Sequence, residues 1–431
     1  MVHTLALRLP HRLGVFMAGL LSACLSFAAG QVVFAQGEGL LGKIDLRTTK
    51  GVEEVKGQWR YADVTTGVGE KKNEIEPKAH GQYDDSKWEV LKPETLGNPR
   101  GAGGYCWCWY RIQITIPETI KGKPFEQGPV WFYTTVDDYG EVWVDGKIDL
   151  AFGKSGRGAV SGFNTMNRVR LQKEVKVKDE KSGKDKIVKV DPKPGDVFQI
   201  AILGINSPLG NPPGNKIFLR DTGLEFFSKE ATDQGANKPR VEPPPPGKEV
   251  AKINLMEQAG VDLVKGAWKR RDVEVHVGPN KNEIAPKAHG KFDDSQWETV
   301  DPTKLKTPYG VGKFSMAWYR IKVTVPEKVG DVSTAGKALW FRTTVDDYAE
   351  VWVNGSCELA FGSSGRGAIS GFNAQNEVKL TDNAKPGEQF QIAILAINSP
   401  FGNPPPNFIF FRAPTELRFF EKTTEKAGEK K

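Results

Sequence analysis

Two matching acidic pairs are the residues of this 431-residue chain whose type and spacing best suit chemistry. Asp137-Asp138 and Asp346-Asp347 each follow a strand-like run, and glycoside hydrolysis uses two carboxylates that flank one bond. Adjacent residues on a strand point to opposite faces, so each pair is expected not to converge on one substrate. We therefore predict no catalytic residue here. Each pair is interpreted as strand-end groups that accept backbone N–H bonds, or that contact a sugar or Ca²⁺ through one member.

Two tryptophans lie among polar residues at matching positions. By strand parity Trp143 shares a face with Glu141, and Trp352 lies between Glu350 and Asn354. An indole near carboxylates either packs inside the protein or stacks on a sugar ring. Packing is favoured because tryptophan is usually largely buried, and stacking stays as the alternative.

Two loops add polar candidates. Arg157 and Arg366 are flanked by glycines, which let a backbone approach a ligand closely, while arginine offers a planar fork of donors. The same arginines could instead pin their loops by bonding carbonyls. Asn206 and Asn398 begin loops after buried runs, where asparagine serves either binding or a tight turn.

Carboxylates and amides pair with sugar hydroxyls, and aromatic rings contact the apolar face of a sugar. On that basis the predicted ligand contacts are Asp138, Tyr139, Trp143, Arg157, Asn164 and Asn206, with Asp347, Tyr348, Trp352, Arg366, Asn373 and Asn398 in matching positions.

Histidine and cysteine offer little for a metal or redox site. His80 and His289 are the histidines that occupy matching positions, and one histidine per repeat does not form a typical zinc site. Cys106 and Cys108 have no cysteine counterparts in the other half, so we interpret them as small buried residues. No cofactor is predicted, and a bound structural Ca²⁺ ion is kept as an alternative.

The chain contains a tandem duplication. The segment from Asn73 to Gly81 recurs 209 residues later, from Asn282 to Gly290. Residues 134–167 and 343–376 are identical at 25 of 34 positions. Further along, the offset falls to 192, so the first repeat carries 17 additional residues. We interpret the two halves as homologous domains.

The additional residues fall near 172–192, where two alternating runs flank Lys181-Ser182-Gly183-Lys184 and predict a hairpin. Its lysines favour a solvated ribbon that resists aggregation over a binding arm. The predicted organisation is a signal peptide (1–35), a first module (38–228), a proline-rich linker (229–249), a second module (250–421) and a charged, disordered tail (422–431).

The local patterns predict strands. The run from Trp109 to Ile116 alternates strictly, and the run from Phe198 to Leu203 is apolar enough for a fully buried strand. The expected apolar face of the first run consists of Tyr110, Ile112, Ile114 and Ile116. No long helical period appears. The fold class is therefore predicted as all-β, with an antiparallel β-sandwich in each repeat.

Three motifs carry a family resemblance: Asp84-Asp85-Ser86-x-Trp88, Trp109-Tyr110-Arg111, and the run from Val136 to Gly146. Together they resemble the sugar-binding jelly-roll domain of glycoside hydrolase family 2, a member of the galactose-binding-domain-like superfamily. Later segments also resemble modules found beside gluconolactonase-type propellers. The resemblance implies two tandem jelly-roll modules. Because neither a glycosidase barrel nor a propeller follows, it implies binding more than catalysis.

The first residues form an export signal. Arg8 and Arg12 precede an apolar run, and Val33-Phe34-Ala35 suits cleavage, which predicts a secreted or periplasmic protein without a membrane span. A lipobox-like sequence before Cys24 makes a lipoprotein the alternative. The formal charge of +7, from 60 basic and 53 acidic residues, is too weak to indicate a nucleic-acid partner.

These observations predict a secreted, non-catalytic carbohydrate-binding protein. Two modules on one chain would gain avidity for a polysaccharide if both bind together. One alternative is a cell-envelope structural protein that binds a partner protein. Another is an accessory or catalytic part of a glycoside hydrolase.

Overall fold

The computed structural model describes residues 39–64, 82–104, 106–148, 166–179, 182–211, 214–231, 247–273, 291–310, 315–357, 375–402 and 406–421. Antiparallel strands dominate these residues, so the predicted all-β fold class is confirmed. The strands are β1 (Leu40–Asp45), β2 (Trp59–Val64), β3 (Glu89–Leu91), β4 (Trp107–Thr115), β5 (Thr119–Ile120), β6 (Lys123–Pro124), β7 (Val130–Asp137), β8 (Tyr139–Val144), β9 (Asn167–Leu171), β10 (Lys173–Lys178), β11 (Asp185–Val190), β12 (Val197–Ile205), β13 (Phe218–Phe227), β14 (Glu249–Asn254), β15 (Trp268–Val273), β16 (Glu298–Val300), β17 (Met316–Thr324), β18 (Lys328–Val329), β19 (Val332–Ser333), β20 (Ala338–Asp346), β21 (Tyr348–Val353), β22 (Asn376–Thr381), β23 (Gln389–Ile397) and β24 (Phe410–Phe420).

Each repeat builds two sheets with the same strand order. In the first repeat a four-stranded sheet has the order β1-β13-β7-β9, and a five-stranded sheet has the order β3-β2-β4-β12-β8. The second repeat has the orders β14-β24-β20-β22 and β16-β15-β17-β23-β21. The two sheets of each repeat enclose their own hydrophobic core, so each repeat is a β-sandwich.

The central strand β4 shows how the sequence pattern becomes a sandwich. Tyr110, Ile112 and Ile114 are buried in the core of the first repeat, as the alternation predicts. Trp107 and Trp109 point to the opposite face, and they are buried as well. The outer face of the five-stranded sheet is therefore covered by something other than its own sandwich.

The outer face is covered by the other repeat. Residues from the five-stranded sheets of both repeats form one apolar cluster, and the described residues from 39 onward belong to a single compact unit. Of its buried members, those in the first repeat are Val64, Trp107, Trp109, Tyr139, Trp143, Ala201, Leu203, Ile205 and Leu209, and those in the second are Val273, Trp297, Met316, Trp318, Tyr348, Trp352, Ala393, Leu395, Ile397 and Phe401. We call this surface the inter-repeat interface.

Two short helices, α1 (Thr49–Glu54) and α2 (Gln258–Leu263), connect the first strands of each repeat. The hydroxyl of Thr48 caps α1 by accepting a hydrogen bond from Gly51 N at 3.0 Å. Indole N–H groups fix the preceding turns, because Trp59 donates to Leu46 O at 2.9 Å and Trp268 donates to Leu255 O at 2.8 Å.

Strands β10 and β11 form the predicted hairpin, which pairs from Lys173↔Val190 to Lys178↔Asp185. The predicted signal peptide, the tail 422–431 and residues 232–246 of the predicted linker lie outside the described residues. Within the part of the chain that the structure describes, no helix is long and apolar enough to cross a membrane.

Candidate functional site

The acidic pairs lie where the chain passes from one sheet of a repeat to the other. Strand β7 ends at Asp137 in the four-stranded sheet, and β8 begins at Tyr139 in the five-stranded sheet. The carboxyl groups of Asp137 and Asp138 interact with each other, as do those of Asp346 and Asp347. The two side chains of a pair thus meet where the chain changes sheet, because alternation holds within one strand. The expectation that no pair faces one substrate stays a prediction.

In the first repeat, an arginine and a backbone N–H hold the acidic pair. The guanidinium of Arg220 bonds to Asp137 Oδ2, and Ser207 N donates to Asp138 Oδ2 at 3.1 Å. Burial, reinforced by the neighbouring Asp137 carboxyl, raises the pKa of Asp138 well above its usual range. Asp138 is therefore protonated more readily than an ordinary aspartate, and Arg220 lies against its neighbour Asp137.

The second repeat reproduces this arrangement. Arg412 Nη2 bonds to Asp346 Oδ2 at 2.5 Å, and Ser399 N donates to Asp347 Oδ2 at 3.1 Å. Burial and the adjacent Asp346 carboxyl again raise the pKa of Asp347 well above its usual range. In addition, Asn407 Nδ2 donates to Asp346 Oδ1 at 3.4 Å.

The arginines extend both clusters to the protein surface. The side chain of Arg220 is 45% exposed and that of Arg412 is 49% exposed. Their guanidinium carbons lie 5.1 Å from the ring centre of Phe218 and 5.8 Å from that of Phe410, respectively. We call these clusters the rim sites, which consist of Asp137, Asp138, Phe218 and Arg220 in the first repeat and Asp346, Asp347, Phe410 and Arg412 in the second.

The rim sites do not have the carboxyl spacing of a glycosidase. Paired catalytic carboxyl groups in glycosidases lie about 5–9.5 Å apart, with the scissile bond between them. Here the two carboxyls of a pair belong to adjacent residues and interact directly with each other. Within the described residues, no group of three His, Cys, Asp or Glu side chains is placed to hold a metal ion.

The predicted contacts Asn206 and Asn398 are fully buried and hold loops together. Asn206 Nδ2 donates to Gly104 O at 2.7 Å and to Asn215 O at 3.0 Å. Asn398 Nδ2 donates to the Asn407 carbonyl at 2.9 Å. The structure thus matches the turn-supporting interpretation of these amides.

Four predicted aromatic contacts lie in the inter-repeat interface. Trp143 is 2% exposed and Trp352 is 4% exposed, while the rings of Tyr139 and Tyr348 are fully buried and meet edge to face, with centroids 5.4 Å apart. Protein atoms surround both indoles. A ligand could stack on them only if the two repeats separated, so the packing interpretation is the one that the structure matches.

A reciprocal pair of glutamates crosses the inter-repeat interface. Glu350 accepts hydrogen bonds from Leu209 N at 2.5 Å and from Gly210 N at 2.7 Å, although these residues are about 140 positions away. Glu141 accepts from the N–H groups of Phe401 and Gly402 in the same way. Because each repeat gives the other the same contacts that it receives, the interface has the two-fold character of a symmetric dimer.

Each glutamate also accepts a phenol from its own strand. Tyr139 OH donates to Glu141 Oε1 at 2.9 Å, and Tyr348 OH donates to Glu350 Oε1 at 3.0 Å. Burial raises the pKa of both carboxyl groups to about 7, although the N–H and phenol donors act in the opposite direction. These two carboxyls therefore titrate near neutral pH at the centre of an otherwise apolar surface.

Two glycines allow the repeats to approach closely, so substitutions at these glycines test the packing of the interface. A Cβ on Gly210 would lie 2.7 Å from Trp352 Nε1, and one on Gly402 would lie 2.7 Å from Trp143 Cζ2. We expect Gly210→Ala and Gly402→Ala each to lower the free energy of unfolding by about 1–3 kcal/mol, because the interface becomes overpacked. Urea denaturation measures the loss. Gly97→Ala is the control, since no atom lies within 4 Å of the added methyl group. Equal stability of Gly210→Ala and Gly97→Ala would contradict the packing described here.

Sequence reasoning named Glu141 and Glu350 only as neighbours of the tryptophans, without a role of their own, and it missed the two rim arginines. A signal for the glutamates was present, since each is a lone acid inside a strand that is otherwise apolar or aromatic. The rim arginines have no comparable signal, because Arg220 and Arg412 lie more than 60 positions from the acids that they pair with.

The motifs that carry the family resemblance have structural partners. Arg111 is buried and bonds to Asp85 Oδ2 at 2.6 Å and to Tyr83 O at 3.1 Å, while Asp84 Oδ1 accepts from Ser86 N at 3.0 Å. In the second repeat, Arg320 and Asp294 form the matching ion pair at 2.8 Å. The acidic motif thus clamps its loop onto the central strand.

The predicted contacts Arg157, Asn164, Arg366 and Asn373 lie outside the described residues, as do His80 and His289. The ligand contacts expected from these loops stay predictions. Cys106 and Cys108 lie within the described residues, where both are buried free thiols. Burial raises the pKa of Cys106 to about 11. Both thiols are thus protonated at neutral pH.

No protein-family model matches the chain, and no curated protein matches it. Among solved structures, a β-glucuronidase of Bacteroides uniformis aligns with 83% of this chain and 27% of its own length, at 11% identity and a TM-score of 0.21. A β-glucuronidase of Faecalibacterium prausnitzii aligns over 80% and 42% of the two chains, at 12% identity and a TM-score of 0.25. A glycosyl hydrolase family 2 member from Bacteroides cellulosilyticus aligns over 83% and 35%, at 9% identity and a TM-score of 0.20. At these TM-scores the alignments support no assignment of function.

Proposed function

We propose that this protein is an exported carbohydrate-binding protein that does not cleave its ligand, and that it binds through the two rim sites. The observation that carries the proposal is the repetition of one surface arrangement in both sandwiches. Each rim site presents a half-exposed arginine beside a partly buried phenylalanine ring, and a buried carboxyl pair holds the arginine in place. Arginine N–H groups suit sugar hydroxyls, and the aromatic ring suits the apolar face of a sugar.

Two features support binding over cleavage. The carboxyls of each rim site interact directly with each other, unlike the separated acid and nucleophile of a glycosidase. The most perturbed glutamates of the described chain, Glu141 and Glu350, are enclosed in the inter-repeat interface away from substrate. The hydrolase alternative therefore finds no separated carboxyl pair at either rim site.

The inter-repeat interface would give such a protein a particular kind of bivalency. The repeats share one apolar cluster, so the rim sites are held on one body and not on two freely moving modules. A fixed spacing favours a polymer that reaches both sites without ordering a linker. Polysaccharides are therefore expected to bind more tightly than their short oligosaccharides.

Affinity gel electrophoresis of the folded chain in a panel of polysaccharides tests the proposal. We expect Arg220→Ala and Arg412→Ala each to weaken retardation several-fold, and the double variant to abolish it, because both sites lose their exposed donors. Arg47→Ala is the matched control, since Arg47 is similarly exposed and pairs with Asp45 on the surface at 3.0 Å. Failure of every polysaccharide to retard the folded wild-type protein would overturn the proposal.

A further inference from the structure

The hairpin formed by β10 and β11 distinguishes the two repeats. In the first repeat it occupies the connection between β9 and β12, whereas residues 382–388 alone connect β22 to β23 in the second. Because the second sandwich closes with the same strand order without a hairpin, the fold does not require one. We call residues 173–190 the ribbon.

The base of the ribbon is fixed to the sandwich on both strands. Lys173 Nζ pairs with Asp145 at 3.0 Å, and Glu174 pairs with Lys147 Nζ at 2.6 Å. Immediately after β11, Asp191 accepts two hydrogen bonds from Arg170 Nη2, at 2.8 and 2.9 Å. The ribbon therefore leaves the body in a set direction.

No third strand joins the ribbon within the part of the chain that the structure describes. Among the described residues, β10 and β11 pair with each other in a two-stranded sheet, and no other strand pairs with either edge. Each strand has six residues, which at about 3.3 Å per residue gives an edge of about 20 Å. Such an edge presents a row of backbone donors and acceptors that can add a strand from another chain.

The ribbon also exposes apolar side chains to an unusual degree. Val175 is 37% exposed, Val177 is 40% exposed and Ile187 is 60% exposed, and these are three of the seven large hydrophobic residues exposed in the described chain. Lysines alternate with the valines along β10, and Lys186 and Lys189 flank Ile187 and Val188 on β11. In the described part of the chain, Lys176, Lys178 and Lys186 make no ion pair.

The net positive charge of the ribbon favours an acidic partner. Residues 173–190 contain seven lysines and four acidic residues, so a second ribbon would be repelled while an acidic strand would be attracted. The charge that prevents self-association is thus the charge that would favour an acidic partner.

We propose that the ribbon is a docking arm that binds an acidic, extended segment of another protein by strand addition. Backbone hydrogen bonds to the free edge would provide affinity, the exposed valines would contact alternate apolar side chains, and the lysines would pair with intervening carboxylates. The inference is independent of carbohydrate binding, because no rim-site residue belongs to the ribbon.

A peptide-binding measurement tests the proposal. The probes are a fluorescent peptide that alternates valine and glutamate over eight residues and a matched peptide that alternates valine and lysine. Full-length protein should bind the acidic peptide at least ten-fold more tightly than the basic one, and amides of residues 173–190 should exchange more slowly with deuterium when the peptide is bound. Replacing residues 172–196 by the connection 382–388 of the second repeat should abolish binding, and its unfolding curve checks that the sandwich remains intact.

A charge-reversal variant separates recognition from folding. Lys176→Glu combined with Lys186→Glu should favour the basic peptide, which damage to the sandwich would not do. The proposal is overturned if wild-type protein does not bind the acidic peptide, or if binding persists without the ribbon. It is also overturned if the ribbon binds an acidic polysaccharide such as alginate and no peptide.

Discussion

Glu350→Ala is expected to lower the free energy of unfolding by about 3–5 kcal/mol, because it removes the acceptor of three buried donors. The N–H groups of Leu209 and Gly210 and the phenol of Tyr348 all donate to this carboxyl. Water does not reach them in the inter-repeat interface, so each loses its partner. Chemical denaturation at pH 7 measures the loss, and Glu141→Ala should give a loss of the same size because the interface is reciprocal.

Two controls make this prediction specific. Glu350→Gln keeps the shape and one acceptor oxygen but leaves one of the buried donors without an acceptor, so the loss should be about 1–3 kcal/mol. Glu89→Ala removes an exposed partner of Arg100 and should cost about 0–1 kcal/mol, as surface ion pairs do. If Glu350→Ala were no more harmful than Glu89→Ala, the glutamate would not hold the two repeats together.

The free energy of unfolding is expected to fall as the pH rises from about 4.5 to 7.5. Glutamates of the unfolded chain ionise near pH 4.3, while the buried glutamates of the folded protein remain protonated. Burial raises the pKa of Glu141 and Glu350 to about 7 in the folded protein. The folded state therefore binds more protons than the unfolded state across this window, and stability is lost as the pH passes through the folded value. At about 1.4 kcal/mol per unit of pKa shift, each glutamate should account for about 4 kcal/mol. Asp138 and Asp347, whose pKa values are also raised, act in the same direction.

Denaturation at a series of pH values measures this dependence. The double variant Glu141→Gln with Glu350→Gln has no titrating group in the interface, so its profile should be flatter by the contribution of the two glutamates. If the stability of the wild-type protein instead rose across this pH window, the prediction would be wrong. It would mean that the backbone and phenol donors keep the carboxyls ionised despite burial.

Much of the fold was predictable from local patterns. Period-two alternation correctly placed Tyr110, Ile112 and Ile114 in a sandwich core, and turn residues between two lysine-rich runs correctly predicted the ribbon. These features depend on neighbours in sequence, because side-chain direction along a strand and the chemistry of a tight turn are local properties.

The candidate site was predicted less well. The interpretation of Asp138 and Asp347 as strand-end acceptors of backbone N–H bonds matches their bonds from Ser207 and Ser399. Their approach to Asp137 and Asp346 depends on a change of sheet that alternation does not describe. The arginine that completes each rim site comes from a distant strand, so no spacing along the chain reveals it.

The sequence by itself determined that the protein is a duplicated all-β chain, because repeats and alternation are properties of residue order. Only the tertiary structure decided what covers each face. Strand parity places Glu141 and Trp143 together, and it applies equally to a face in solvent and to one packed on another sheet. The matching face of the second repeat covers them, so an apparent sugar platform is part of an interface whose contacts join residues more than 100 positions apart.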